Sequence, residues 1–201
     1  MINWIDVGAN CGGVTDQFIK IANRLKLDYK CYLFECQDEM VKLLREKYED
    51  NPQVVIIDSA ISNVNGTIKL YASKRSLGHS IFKDKVNVNE NKFQIVSSIR
   101  LSDWLKTNIN ESDFTILKSN IEAANYYLYN DIIDTKTYKY IDIHLGNQCN
   151  DVRKIPSLAD KVDDFFKKIE DHDIKLYYYS NSKYGKRGGN VDLETLIKDR
   201  I

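Results

Sequence analysis

The chain predicts an α/β fold, a mostly parallel twisted sheet with helices on both faces, and three observations carry that expectation. The β-branched, apolar run Trp4-Ile5-Asp6-Val7 breaks abruptly into Gly8-Ala9-Asn10-Cys11-Gly12-Gly13, and apolar residues then recur at helical spacing at Phe18, Ile21, Ala22 and Leu25. Strand, glycine turn and helix in that order open a nucleotide-binding βαβ unit. Tyr32-Leu33-Phe34-Glu35 is a second apolar strand, ending in an acid where a ribose diol would be gripped. Val54-Val55-Ile56-Ile57 is a continuous apolar run of the kind buried in parallel sheets.

Taken in order, the first strand is expected over Asn3 to Val7 and its helix from about Val14 to Arg24. The second strand is Lys30 to Phe34. A helix over Asp38 to Tyr48 comes next, with Met40, Leu43 and Leu44 on its apolar face, and Asn51-Pro52 ends it. After the third strand, Asn63-Val64-Asn65-Gly66 signals a turn, and Thr67 to Tyr71 alternates as an edge strand does. A polar loop with Gly78-His79-Ser80 leads into a charged, Asn-rich connection from Lys83 to Lys92, long enough to suggest a functional or mobile loop. Phe93 to Ile99 reads as a strand, and Leu101 to Leu105 as a short helix that Ser102 could cap. The sheet resumes with Phe114 to Lys118, a helix over Ala123 to Ile133 and a strand over Tyr138 to Leu145. An amphipathic helix over Ser157 to Asp171, a strand over Ile174 to Tyr179, a glycine- and lysine-rich loop over Ser180 to Asn190 and a terminal helix from Leu193 complete the chain.

No boundary or linker interrupts this pattern, so residues 1–201 are read as a single domain. Lys plus Arg and Asp plus Glu number 29 each, a balance that gives no reason to expect nucleic acid or an anionic membrane surface as a partner. No apolar run approaches the roughly 20 residues of a membrane span, and the N-terminus lacks the regions of a signal peptide. A cytoplasmic protein is expected. Cys11, Cys31, Cys36 and Cys149 show no metal-like spacing and are read as free thiols.

The glycine turn narrows the cofactor. In a dinucleotide fingerprint the second position is glycine, so that the backbone can approach a pyrophosphate. Here it is Asn10, and Asp6 just before the turn would suit an ammonium group and oppose a pyrophosphate. S-adenosylmethionine, whose amino-acid end would meet the loop, fits better.

The stretch Ile5-Asp6-Val7-Gly8-Ala9-Asn10-Cys11-Gly12-Gly13 resembles motif I of the FkbM family of S-adenosylmethionine-dependent methyltransferases, often DVGANxG. Other pieces fall in the family's order. Phe34-Glu35 resembles its FEP segment, with Cys36 for the proline. Asp58-Ser59-Ala60-Ile61-Ser62 with Asn65 to Tyr71 resembles the segment after strand three, and Ile99 to Leu105 the T-L-D-D-L element. The resemblance spans roughly residues 3 to 145 and implies a Rossmann-like class I methyltransferase fold acting on a hydroxyl of a sugar or other small polyhydroxylated metabolite. It implies that Gly8, Asn10 and Gly12 line the methionine end, with Asp6 acting directly or through water. Glu35 would accept both ribose hydroxyls, and Asp58, Ser59 and Ala60 would lie near the adenine.

The family's strand-four motif, commonly LKIDVEGAE, is replaced by Leu117-Lys118-Ser119-Asn120-Ile121-Glu122-Ala123-Ala124-Asn125. Asn120 stands at the acid, where it keeps an acceptor oxygen for the cofactor and loses the ability to act as a base. This leaves two expectations. In one, Glu122 or His144, the latter at a strand's carboxyl end, takes the acceptor's proton. In the other, the domain is a catalytically impaired binding module. Asp142, His144 and Asn120 fall short of a metal triad, and no metal is expected. His79 and Ser80 could touch the acceptor, and Lys183 to Gly189 could attract an anionic one. The chain starts almost at strand one, so the middle loop, the 180–190 loop or a second subunit of a homo-oligomer is expected to close the site.

Overall fold

The computed structural model describes residues 1–74, 78–146, 149–178 and 192–200. Six strands form the central sheet: β1 (Ile2–Val7), β2 (Tyr29–Glu35), β3 (Val54–Asp58), β7 (Phe114–Ser119), β8 (Ile143–Gly146) and β9 (Leu176–Tyr177). Their order is β3-β2-β1-β7-β8-β9, and every pairing is parallel. A smaller sheet holds β4 (Ala60–Ile61), β5 (Gly66–Ser73) and β6 (Val88–Ile99), in the order β4-β6-β5.

The apolar residues of each strand divide between two cores. On one face Trp4, Leu33 and Ile116 meet Phe18 and Ala22 of α1 (Gly13–Arg24), Leu44 of α2 (Asp38–Lys47), and Leu196 of α6 (Leu193–Lys198). The Trp4 and Phe18 rings stack at 4.6 Å. On the other face Ile5, Val7 and Leu117 meet Leu105 of α3 (Leu101–Asn108), Leu128 and Ile132 of α4 (Asn125–Asp134), and Phe165 of α5 (Val162–Asp171). Helices on both faces of a parallel sheet make a doubly wound α/β fold. The chain leaves β1 in one direction toward β2 and β3 and returns to β7 on the other side, so the switch in strand order lies between β1 and β7. Open α/β sheets bind ligands in the crevice beyond the strand ends at such a switch.

Four expectations change. The Val54–Ile57 run is an edge strand whose residues are half-buried or exposed, because the sheet ends there. The connection from Lys83 shortens, because main-chain pairing with β5 extends β6 back to Val88 despite its polar sequence. Tyr138–Leu145 divides into a 3-10 turn, Thr137–Tyr140, whose tyrosines pack on the core, and the short β8. Residues 156–161 form a 3-10 turn that begins at Pro156 and precedes α5. The 180–190 loop lies outside the described residues, as does Tyr179. No helix among the described residues is long and apolar enough to cross a membrane.

Candidate functional site

A cleft of about 700 Å³ opens at the carboxyl ends of β1, β2 and β7. The glycine turn forms its floor, the loop after β7 one wall, and the segment from Gly78 to Ile81 the opposite rim. Of the residues singled out from the sequence, Gly8, Asn10, Glu35, Ser59, Ala60, His79, Ser80, Asn120 and Glu122 line it.

Glu35 ends β2 beside the turn and is 5 % exposed. Its Oε1 accepts the N–H groups of Cys36 and Gln37 at 2.9 and 3.0 Å, and Oε2 accepts that of Asn10 at 2.8 Å. A carboxylate offers about four lone-pair positions. Three are filled by backbone, which leaves one on Oε2 for a ligand donor. The expectation that Glu35 takes both ribose hydroxyls, one on each oxygen, narrows to one hydroxyl. The Asn10 bond also ties the turn to β2, with Asn10 in the left-handed region at φ 51° and its Oδ1 accepting the Cys11 N–H at 2.9 Å.

Asp6, Gly12, Asp58 and His144 stand outside the cleft lining. Asp6 is fully buried: Oδ1 accepts from Lys118 Nζ at 2.7 Å and Oδ2 from the Thr15 hydroxyl at 2.7 Å, which in turn accepts from the Trp4 indole. Gly12 (φ 75°) packs under Tyr48, whose hydroxyl would lie 2.6 Å from a Cβ there. Asp58 faces outward toward Arg45 at 3.5 Å. His144 is 5 % exposed between the sheet and Tyr129, and burial pushes its pKa down to about 3, so the ring is neutral. It reaches no acceptor in the cleft, because β8 turns that side chain toward the core below α4.

The loop after β7 departs most from relaxed geometry. Glu122 and Ala123 are consecutive residues in the left-handed region, at φ 52° and 79°. The second is where the FkbM motif carries glycine, and an alanine there costs of order 1 kcal/mol. Gly8 (φ 78°) has no such freedom, since a Cβ would overlap the Asn120 carbonyl oxygen. Glu122 forms an ion pair with the buried Lys85, while its main-chain carbonyl accepts from the Ser80 hydroxyl at 2.9 Å. Lys85 also lies 3.9 Å from Asp151, which pairs with Lys154 at 2.7 Å. Asn120 Oδ1 and His79 Nδ1 are buried atoms with no hydrogen-bond partner among the described residues. Burial, and behind it the carboxylates of Glu35 and Asp58, pushes the Cys36 thiol up, so it is no nucleophile at neutral pH.

Sequence reasoning passed over Lys118 as a site residue, and also Asn87, Asp151 and Lys154, all of which line the cleft. Lys118 had a signal: it lies near the carboxyl end of β7, two residues before Asn120, where open α/β sheets bind their ligands. Asn87 comes from a connection, and Asp151 and Lys154 from a single 3-10 helix, Cys149–Lys154, whose placement no periodicity announces. Among the described residues no three His, Cys, Asp or Glu side chains are grouped to hold a metal ion. No family model matches the chain, and no curated protein or solved structure matches it.

Proposed function

We propose that the chain is an S-adenosylmethionine-dependent O-methyltransferase acting on a hydroxyl of a sugar or another small polyhydroxylated metabolite. The observation that supports this most is Glu35: a buried carboxylate beside a glycine turn, facing an open cleft at the sheet's switch point, with one acceptor position left. The residues present fit the cofactor. Glu35 Oε2 suits a ribose hydroxyl, the unpartnered Asn120 Oδ1 suits a second donor, and Ser59 and Ala60 line the side expected to receive the adenine. S-adenosylmethionine, when bound, supplies an electrophilic methyl group on a sulfonium.

The protein's own contribution is alignment, from which in-line displacements draw much of their acceleration. His79, Ser80 and Glu122 border the other half of the cleft. With His144 buried elsewhere, Glu122 and His79 are the groups placed to hold the acceptor hydroxyl or take its proton. The Lys85 ammonium steadies the Glu122 carboxylate.

A second reading, a catalytically impaired binding module, draws on Asn120 at the acid's position and on the engagement of Glu122 by Lys85. Titration calorimetry with S-adenosylmethionine and S-adenosylhomocysteine tests the cofactor. Micromolar binding to both, weakened by Glu35→Gln, supports the enzyme over the module, and methyl transfer to a sugar panel tests turnover. Silence toward both ligands sinks the methyl-donor assignment and supports the module, and binding of NAD in its place revives a dinucleotide site.

A further inference from the structure

Resting on the methyl-donor reading above, we infer that Lys118 is the residue that recognises the cofactor's amino-acid end, by binding its carboxylate, and that Asp6 serves as the fixed counter-ion of that lysine. Parallel pairing of β1 with β7 sets Lys118 directly beside Asp6. The Lys118 ammonium donates to Asp6 Oδ1 at 2.7 Å and to the Gly8 carbonyl at 2.8 Å. An ammonium carries three donors. Two point at the first crossover and its glycine turn, and the third is left for the cleft, whose wall Lys118 helps to form.

The arrangement reverses the role a carboxylate before the glycine turn suggests. Both Asp6 oxygens are occupied, by Lys118 and by Thr15, and the residue is fully buried. A ligand ammonium arriving there would find its anion taken and a cation in front of it. A ligand carboxylate would find a donor. Lys154, the other lysine of the lining, is paired with Asp151. Lys47 donates to the Cys11 carbonyl of the turn at 2.8 Å but is paired with Asp16 and stands outside the lining, so Lys118 is the cation that joins the glycine turn to the cleft. A charge-assisted hydrogen bond with little access to water is strong enough to discriminate between ligands.

The experiment compares S-adenosylhomocysteine with its decarboxylated counterpart, the adenosyl thiopropylamine, by calorimetry on the full chain. The wild-type protein binds the first at least tenfold more tightly, and Lys118→Met shrinks that ratio to about twofold or less. Should Lys118→Met fail to fold, the wild-type ratio decides. Equal binding of the two ligands by the wild type overturns the assignment of Lys118 while leaving the cofactor reading intact. Binding of neither ligand overturns both. Lys118-dependent binding of ADP-ribose without S-adenosylhomocysteine gives the ammonium to a phosphate and overturns the carboxylate assignment.

Discussion

The two walls of the cleft are built on opposite principles. On the β1–β2 side the carboxylates are held by the protein itself: Glu35 takes three backbone N–H groups and keeps one acceptor position on Oε2, and Asp6 holds Lys118 and Thr15. On the β7–α4 side two consecutive non-glycine residues, Glu122 and Ala123, sit at positive φ, against the single Asn10 on the other. Asn120 Oδ1, which lines the cleft, is buried without a partner among the described residues. Satisfied polar networks rigidify, whereas strain and unpaired groups gather where a ligand or a movement completes the structure. The first wall is a scaffold finished but for one acceptor position on Glu35, and the second carries the strain and the unpaired amide oxygen that binding completes.

The largest effect that tests this contrast is expected from Asp6→Ala. It leaves the Lys118 ammonium buried without its anion, and breaking a buried pair this way costs about 3–5 kcal/mol. Urea unfolding measures it. Glu122→Gln on the other wall costs about 1 kcal/mol, since Gln keeps an acceptor and Asp151 stays 3.9 Å from Lys85. Equal losses at the two sites contradict the contrast.

The second test is pH. His144 stays neutral in the fold down to about 3, whereas in the unfolded chain it takes a proton near 6.5. The unfolded state therefore binds the extra proton between those values, and stability falls as pH falls through that window, by up to about 1.4 kcal/mol per pH unit from this group. Above pH 6.5 it contributes no slope. Unfolding curves from about pH 7 to about pH 4 for the wild type and His144→Leu should diverge, the variant being flatter. Parallel curves place the ring in contact with water.

Smaller still is Ala123→Gly. Relief of the left-handed backbone gains about 1 kcal/mol, offset in part by the greater freedom of an unfolded glycine. The melting temperature is expected to hold or rise slightly. A marked drop means that the loop is not strained.

The same contrast explains what the sequence made legible. Trp4 to Gly13 and Phe34-Glu35 announce strand, turn and acid because local chemistry decides them: β-branched residues, glycines at positive φ, and a strand end that meets backbone N–H groups. Phe114 to Lys118 is legible for the same reason, as a strand, and the structure extends it to Ser119. The loop beyond Ser119 is not. That Glu122 reaches a buried Lys85 and that His144 turns into the core depend on segments 37 residues apart and on helix packing, which no spacing records. The partner of Asp6 was illegible for a related reason, since it lies 112 positions away across the β1–β7 register. The edge placement of Val54–Ile57 likewise depends on where the sheet stops rather than on the run itself.

The central claim is that the crevice between β1 and β7 receives an adenosine carrying an amino acid, with Glu35 against the ribose. The most direct measurement is a crystal structure of the protein with S-adenosylhomocysteine. The account predicts a ribose hydroxyl within hydrogen-bond distance of Glu35 Oε2 and the amino-acid end at the glycine turn. Density elsewhere, or a Glu35 whose remaining acceptor position faces no part of the ligand, contradicts it.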